Sequence, residues 1–216
     1  MSRSGGAALV IAAAALLTST LSFETPAIAN SAVFSLDRAK LERGEEIAFP
    51  STADIAGKHY VGGVSYAIID ATPDELMGIL EDAAAWESVL PKTKYATRVT
   101  SGPNDERVEL HQGNALVDAT YTLHLVRDVH EQKIKFWLDL NRPHTIEDAW
   151  GYFRYQVVST PGEPSRLLVT YGALVDVGPG MLRSLYENRV HAAMMTVPNR
   201  LRAYVQLQAN KRIAHA

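Results

Sequence analysis

Glu147-Asp148-Ala149-Trp150-Gly151-Tyr152-Phe153-Arg154-Tyr155-Gln156-Val157 stands late in a series of strand-like segments and ahead of one long C-terminal helical pattern. Aromatic side chains fall on both sides of its period-2 alternation, and Gly151 interrupts the row. Successive strand residues point to opposite faces, so this stretch needs either protein on both faces or a roomy apolar cavity on one. Its position, second to last before an amphipathic helix, favours the cavity. The parity stays open at this point. Phe153, Tyr155 and Val157 share one side, Trp150, Tyr152 and Arg154 the other, and a bulge at Gly151 would exchange them.

Working outward, residues 35–43 read as a short helix with Ser35 as N-cap and Gly44 as terminator. Residues 45–49 form a short edge strand stopped by Pro50, and 62–70 a strand with Val64, Tyr66 and Ile68 on one face. Thr72, Pro73 and Glu75 make a capping box with proline at the first helical position, for a helix running to about residue 80. A second short helix over 83–89 ends at Pro91. Six further strands follow at 95–101, 107–116, 119–129, 133–140, 149–159 and 166–177, with turns at Gly102-Pro103-Asn104 and Pro161-Gly162. From Met181 to about Asn210 the apolar period becomes helical, with Leu182, Tyr186, Val190, Met194 (or Ala193), Val197, Leu201 and Tyr204 in one stripe. Pro198 lies inside that stripe and predicts a kink.

Short links between strands specify an antiparallel meander, because parallel crossovers need about a dozen residues or more. The expected architecture is α+β. A curved antiparallel sheet of seven strands grips the helix that starts near Met181, with two short helices after the first core strand. The expected organisation is a signal peptide (1–29), a leader with a short helix and an edge strand (30–61), a ligand-binding domain (62–210) and a tail (211–216).

The N-terminus carries the compartment. Arg3 gives a small positive region, residues 7–17 are an unbroken apolar run, and Ala27-Ile28-Ala29 fits the small-x-small cleavage pattern, predicting a mature chain that begins at Asn30. That run is short for a membrane span, which takes about 20 residues. The expectation is export to a bacterial periplasm. The chain of 216 residues has no cysteine, so its stability rests on a core rather than on disulfides. A formal net charge of -3 and the lack of any basic run argue against nucleic acid as a partner.

Several segments resemble the START-related superfamily of helix-grip proteins (SRPBCC), which includes polyketide cyclase/dehydrase, lipid-transport and coenzyme Q-binding START-type proteins. Val64-Ser65-Tyr66-Ala67-Ile68-Ile69-Asp70-Ala71-Thr72-Pro73-Asp74-Glu75-Leu76 is similar to the family's first strand running into a Pro-containing helix. Trp86-Glu87-Ser88-Val89-Leu90-Pro91 resembles its W-x-x-x-x-P helix end, and the stretch from Asp148 to Tyr155 its aromatic penultimate strand. Leu41-x-x-Gly44-Glu45 is similar to the leader of exported bacterial relatives. The resemblance spans roughly 36–209 and implies a cavity between sheet and helix. It is weak for function, because one fold hosts carriers, cyclases and receptors.

The candidate cavity residues follow from parity and from that resemblance. Tyr66, Tyr121, Leu123, Phe136, Leu138 and Tyr171 share apolar strand faces, while Tyr186, Val190, Met194 and Val197 come from the helical stripe. Trp150, Tyr152 and Arg154 occupy the family's recurring positions, and Trp86 lies near the mouth where the family admits ligands. Buried tyrosine hydroxyls need a partner, which either the protein or a ligand supplies. Tyrosines bonded to backbone in a filled core, and a Trp86 that only plugs the helix pair, are the plain alternatives.

The catalytic inventory is thin. The seven histidines are dispersed with no His-x-x-x-His pair, so neither a metal nor another cofactor is expected. There is no Gly-x-Ser-x-Gly elbow and no phosphate-binding loop. Asp118, Asp139, Glu147 and Asp148 lie near strand ends, where solvated rim charges are the simplest account. Two readings of function remain. One is a monomeric carrier for a lipid-, quinone- or polyketide-like molecule, with transient contact to a membrane. The other is a cyclase or dehydratase that uses cavity Tyr, His or Arg groups.

Overall fold

The computed structural model describes residues 37–113, 118–178 and 183–214, without the side chains of 183–186 and 189. Its elements are α1 (Arg38–Glu42), β1 (Ile47–Ile55), β2 (Lys58–Ile69), α2 (Pro73–Glu81), a 3₁₀ turn (Ala83–Ala85) leading into α3 (Trp86–Val89), β3 (Thr93–Ser101), β4 (Asp105–Gly113), β5 (Asp118–Asp128), β6 (Lys133–Leu138), β7 (Asp148–Val157), β8 (Leu167–Asp176), α4 (Arg183–Met195) and α5 (Val197–Ala214). The strands form one sheet in the order β1-β2-β8-β7-β6-β5-β4-β3. Every neighbouring pair is antiparallel, as the short links require for all but β2 and β8, which lie far apart in sequence.

The sheet has eight strands where the sequence reading expects seven. Pro50 does not stop β1, because an edge strand has a free side on which a missing N–H costs nothing. The β1–β2 connection is a two-residue hairpin loop, Ala56-Gly57, with φ of 51° and 80°. That left-handed pair matches the sheet's twist, although Ala-Gly is a weaker signal than Asn-Gly. As a result β2 starts at Lys58, ahead of the expected residue 62.

Helix starts follow local chemistry. Asp37 caps α1 by accepting the Lys40 N–H at 3.1 Å, whereas the expected cap, Ser35, lies outside the described residues. In α2 the capping box is complete, with Glu75 N–H to the Thr72 hydroxyl at 3.2 Å and Thr72 N–H to Glu75 at 3.0 Å. The expected single C-terminal helix, whose start at Met181 and Leu182 lies outside the described residues, is two helices broken at Thr196. The Thr196 hydroxyl donates to the Ala193 carbonyl at 2.7 Å and closes α4. Pro198 then falls in the first turn of α5, where a backbone N–H would have had no helical partner.

The core lies between α5 and one face of the sheet. Val197, Leu201 and Val205 of α5 pack with Val108 and Leu110 of β4, Leu125 of β5, Leu138 of β6 and Val169 of β8. Each such side chain, fully buried, contributes roughly 1.5–3 kcal/mol. A smaller cluster joins Leu41 of α1 to Tyr66 and Ile68 on the opposite face of β2. Arg200 of α5 donates to the Ser88 and Val89 carbonyls at 2.7 and 3.1 Å, which fixes α3 against α5. Among the described residues no helix is long and apolar enough to cross a membrane.

Candidate functional site

Not all of the gripped face is packed. A row of small residues crosses the middle of the sheet, with Gly151 of β7 opposite Ala173 of β8 and Ala173 opposite Gly63 of β2. A Cβ placed on Gly151 would sit 2.5 Å from the Phe136 ring, so the ring lies directly over that glycine. Beside this row a cavity of about 780 Å³ opens between the sheet and α4. Its walls are Tyr121 and Leu123 of β5, Phe136 of β6, Ala149 and Phe153 of β7, and Tyr171 and Ala173 of β8. Trp86 of α3, Val190, Ala193 and Met194 of α4 and Val197 of α5 close it. The exposed side chains of Lys92 and Asp118 mark the rim.

The structure brings together eight of the expected residues on this wall: Trp86, Tyr121, Leu123, Phe136, Tyr171, Val190, Met194 and Val197. Leu138 shares their face but is buried in the packed core away from the cavity. Tyr186 has its side chain outside the described set. Four residues need correction. Trp150, Tyr152 and Arg154 face the other side of the sheet, because β7 pairs with β6 and β8 in unbroken register and no bulge occurs at Gly151. Trp150 meets the Tyr60 ring edge-on at 6.4 Å, the Lys133 ammonium sits 4.9 Å from the Tyr152 ring centre, and Arg154 is exposed. Tyr66 also lies on that outer face, packed edge-on against Phe49 at 6.1 Å. Burial there raises its pKa to about 12.

Phe153, on the side that Tyr155 and Val157 share, and Ala193, the alternative to Met194 in the helical stripe, also line the cavity, as do Ala149, Ala173 and Gln112, of which Ala149 and Gln112 were not singled out from sequence. The usable signal for Ala149 was that it lies in phase with Phe153 on β7.

No family model and no curated protein matches the sequence. Solved structures do match. A STAR-related lipid transfer protein from Xanthomonas axonopodis superposes with a TM-score of 0.54 at 15% identity, over 73% of this chain and 98% of that one. A Thermus thermophilus protein gives 0.54 at 13% identity, over 67% of this chain and 97% of its own. The Zhui aromatase/cyclase of a Streptomyces strain gives 0.52 at 13% identity, over 78% and 96%. The chain has the START-type helix-grip fold.

Within this START-type cavity the polar chemistry is sparse and ordered. The Tyr121 hydroxyl donates to the Gln112 side-chain carbonyl, and the Gln112 amide donates to the Thr93 hydroxyl at 2.9 Å and to the Pro91 carbonyl at 3.3 Å. The Trp86 indole N–H donates to the Leu80 carbonyl at 2.9 Å, so its ring is held as a fixed wall panel. Burial pushes the phenols of Tyr121 and Tyr171 well above the usual tyrosine range, which keeps both protonated. At the rim, hydrogen bonds from Lys94 at 2.5 Å and from His111 at 2.5 Å hold the Asp118 carboxyl below the usual range. Among the described residues no group of acidic and histidine side chains is arranged to hold a metal ion. Such a site can enclose an apolar molecule and offer it neutral hydrogen-bonding groups.

Proposed function

We propose that this chain is an exported carrier that encloses one hydrophobic small molecule, of lipid-, quinone- or polyketide-like character, in the START-type cavity. The observation that carries this reading is the cavity itself. Its volume of about 780 Å³ lies within the usual 300–1,000 Å³ range of ligand sites, and its walls are predominantly apolar. Two structural neighbours, a lipid transfer protein and an aromatase/cyclase, support a ligand of this chemical type. Export is supported by the apolar run of residues 7–17 and by Ala27-Ile28-Ala29. A monomer that touches a membrane transiently, to load and unload, completes the proposal.

A carrier fits better than a cyclase because of what the wall contains. Its ionisable groups among the described residues are Lys92, Asp118, Tyr121 and Tyr171. Asp118 is engaged by Lys94 and His111, and phenols held protonated by burial are poor bases. The test is native mass spectrometry of protein purified from its own host, followed by solvent extraction. A hydrophobic compound bound one per chain is the expected result. Protein that emerges empty and takes up no added lipid would refute the reading.

A further inference from the structure

We infer that Tyr171 is the polar hook of the cavity, and that the occupant is an uncharged molecule whose carbonyl or hydroxyl oxygen faces that phenol. This rests on the carrier reading above and narrows its ligand class. The Tyr171 ring is fixed in place, 4.8 Å from the Phe153 ring centre and 6.1 Å from that of Phe136, with which it stacks. Its hydroxyl has no hydrogen-bond partner among the described residues, whereas the neighbouring Tyr121 is paired with Gln112. Among the described residues, the unpartnered side-chain atoms that are sealed inside protein belong to Glu46, Ser65, Arg142 and Arg202. The Tyr171 oxygen is not among them, so it opens onto cavity space. A donor held in apolar surroundings without an acceptor is costly, and an oxygen on the occupant would relieve that cost.

Charge narrows the class further. An anionic ligand would require a cation beside its head group, because an unpaired charge is not tolerated in an apolar site. The only described wall residue with a full positive charge is Lys92, whose side chain is exposed at the rim. A cationic ligand finds only Asp118 there, already bound by Lys94 and His111. The deep end therefore suits a neutral oxygen. A ketone or quinone accepts directly from Tyr171. A hydroxyl can do so while donating to the Tyr121 oxygen, whose own proton is directed at Gln112.

The experiment titrates the whole protein and its Tyr171→Phe variant with two matched fluorescent probes, pyrene and acetylpyrene. Removing one neutral hydrogen bond weakens binding by about three- to tenfold. The expected result is that pyrene binds both proteins equally. Acetylpyrene loses about three- to tenfold in affinity for the variant, together with the red shift of its hydrogen-bonded emission. If acetylpyrene binds both proteins alike while pyrene also binds, the hook is overturned and the carrier reading stands. Equal weakening of both probes assigns Tyr171 a packing role and likewise overturns it. Failure of pyrene to bind the parent protein would instead remove the carrier reading, and the hook with it.

Discussion

Replacing Ala193 by tryptophan places an indole in the cavity and separates an open site from a filled core by the sign of two effects. Ala193 is on α4 between Val190 and Met194, and all three line the space opposite Phe136 and Tyr171. A tryptophan side chain buries about 150–250 Å². At about 25 cal/mol per Å² this is worth at most about 4–6 kcal/mol relative to leaving the ring in water. In a cavity of about 780 Å³ no neighbour must move to admit the ring. Side-chain entropy and displaced water oppose the gain, so the net expectation is a melting temperature unchanged or raised by a few degrees. Binding of an apolar dye such as Nile red should weaken at least about tenfold, because the same volume cannot hold both rings. In a filled core the same substitution costs about 1–3 kcal/mol. At about 2–4 °C per kcal/mol for a chain of this size, that is a fall of roughly 2–12 °C. Differential scanning fluorimetry and a fluorescence titration on the one variant give both readouts. Lower melting with dye binding unchanged would refute the reasoning.

Gly151→Ala should destabilise by about 3 kcal/mol, at or above the upper end of overpacking costs, since the new Cβ meets the Gly172 carbonyl at 2.3 Å and Phe136 at 2.5 Å. Parent-like thermal melting would show that Phe136 does not lie over the glycine. Glu46 is expected to make the protein less stable as pH rises, because burial, the larger effect, raises its folded pKa above the ordinary 4.5 despite Arg202 nearby. The folded state then binds more protons than the unfolded one between those two values, so stability falls across that window. Glu46→Gln should flatten the fall and raise neutral-pH melting, and unfolding curves at pH 4 and 7 decide it. N-terminal sequencing of chain recovered from a host with an export pathway should begin at Asn30, and intact Met1 in the membrane fraction would instead indicate an uncleaved anchor.

Order of elements and the α2 cap were readable because they depend on local chemistry. Thr72, Pro73 and Glu75 specify their helix start through neighbouring backbone groups alone, and the structure has that capping box. Parity on β2 misled because apolar content is a proxy for facing the core only when the other face meets water. The α1 helix covers the outside of β2, so Tyr66 and Ile68 are buried there, while the inner positions are Val61, Gly63, Ser65, Ala67 and Ile69. The aromatic outer row of β7 misled for a related reason. Trp150 packs against Tyr60 of β2 and Tyr152 against Lys133 of β6, rather than against a ligand. The cavity was legible as an expectation, through Tyr171, Phe136 and the helical stripe, but not in its full lining, because a small residue such as Ala149 and a polar one such as Gln112 leave a weak mark on a hydrophobicity pattern.

The break at Thr196 divides two duties that one unbroken rod would have to share. The α5 helix is bound to the fold by Leu201 and Val205 in the core, by Arg200 on the α3 carbonyls and by Arg212 on Glu75 at 2.6 Å. By contrast, α4 supplies wall, and its described ties to the hairpin include the His191 ring on the Ser51 N–H at 3.2 Å and Glu187 near His59 at 3.4 Å. Changing a residue of the wall therefore need not disturb the contacts by which α5 holds to the fold. A wall and a keystone made from consecutive turns of helix can vary separately, which leaves the lining free to change occupant over evolutionary time without putting the architecture at risk.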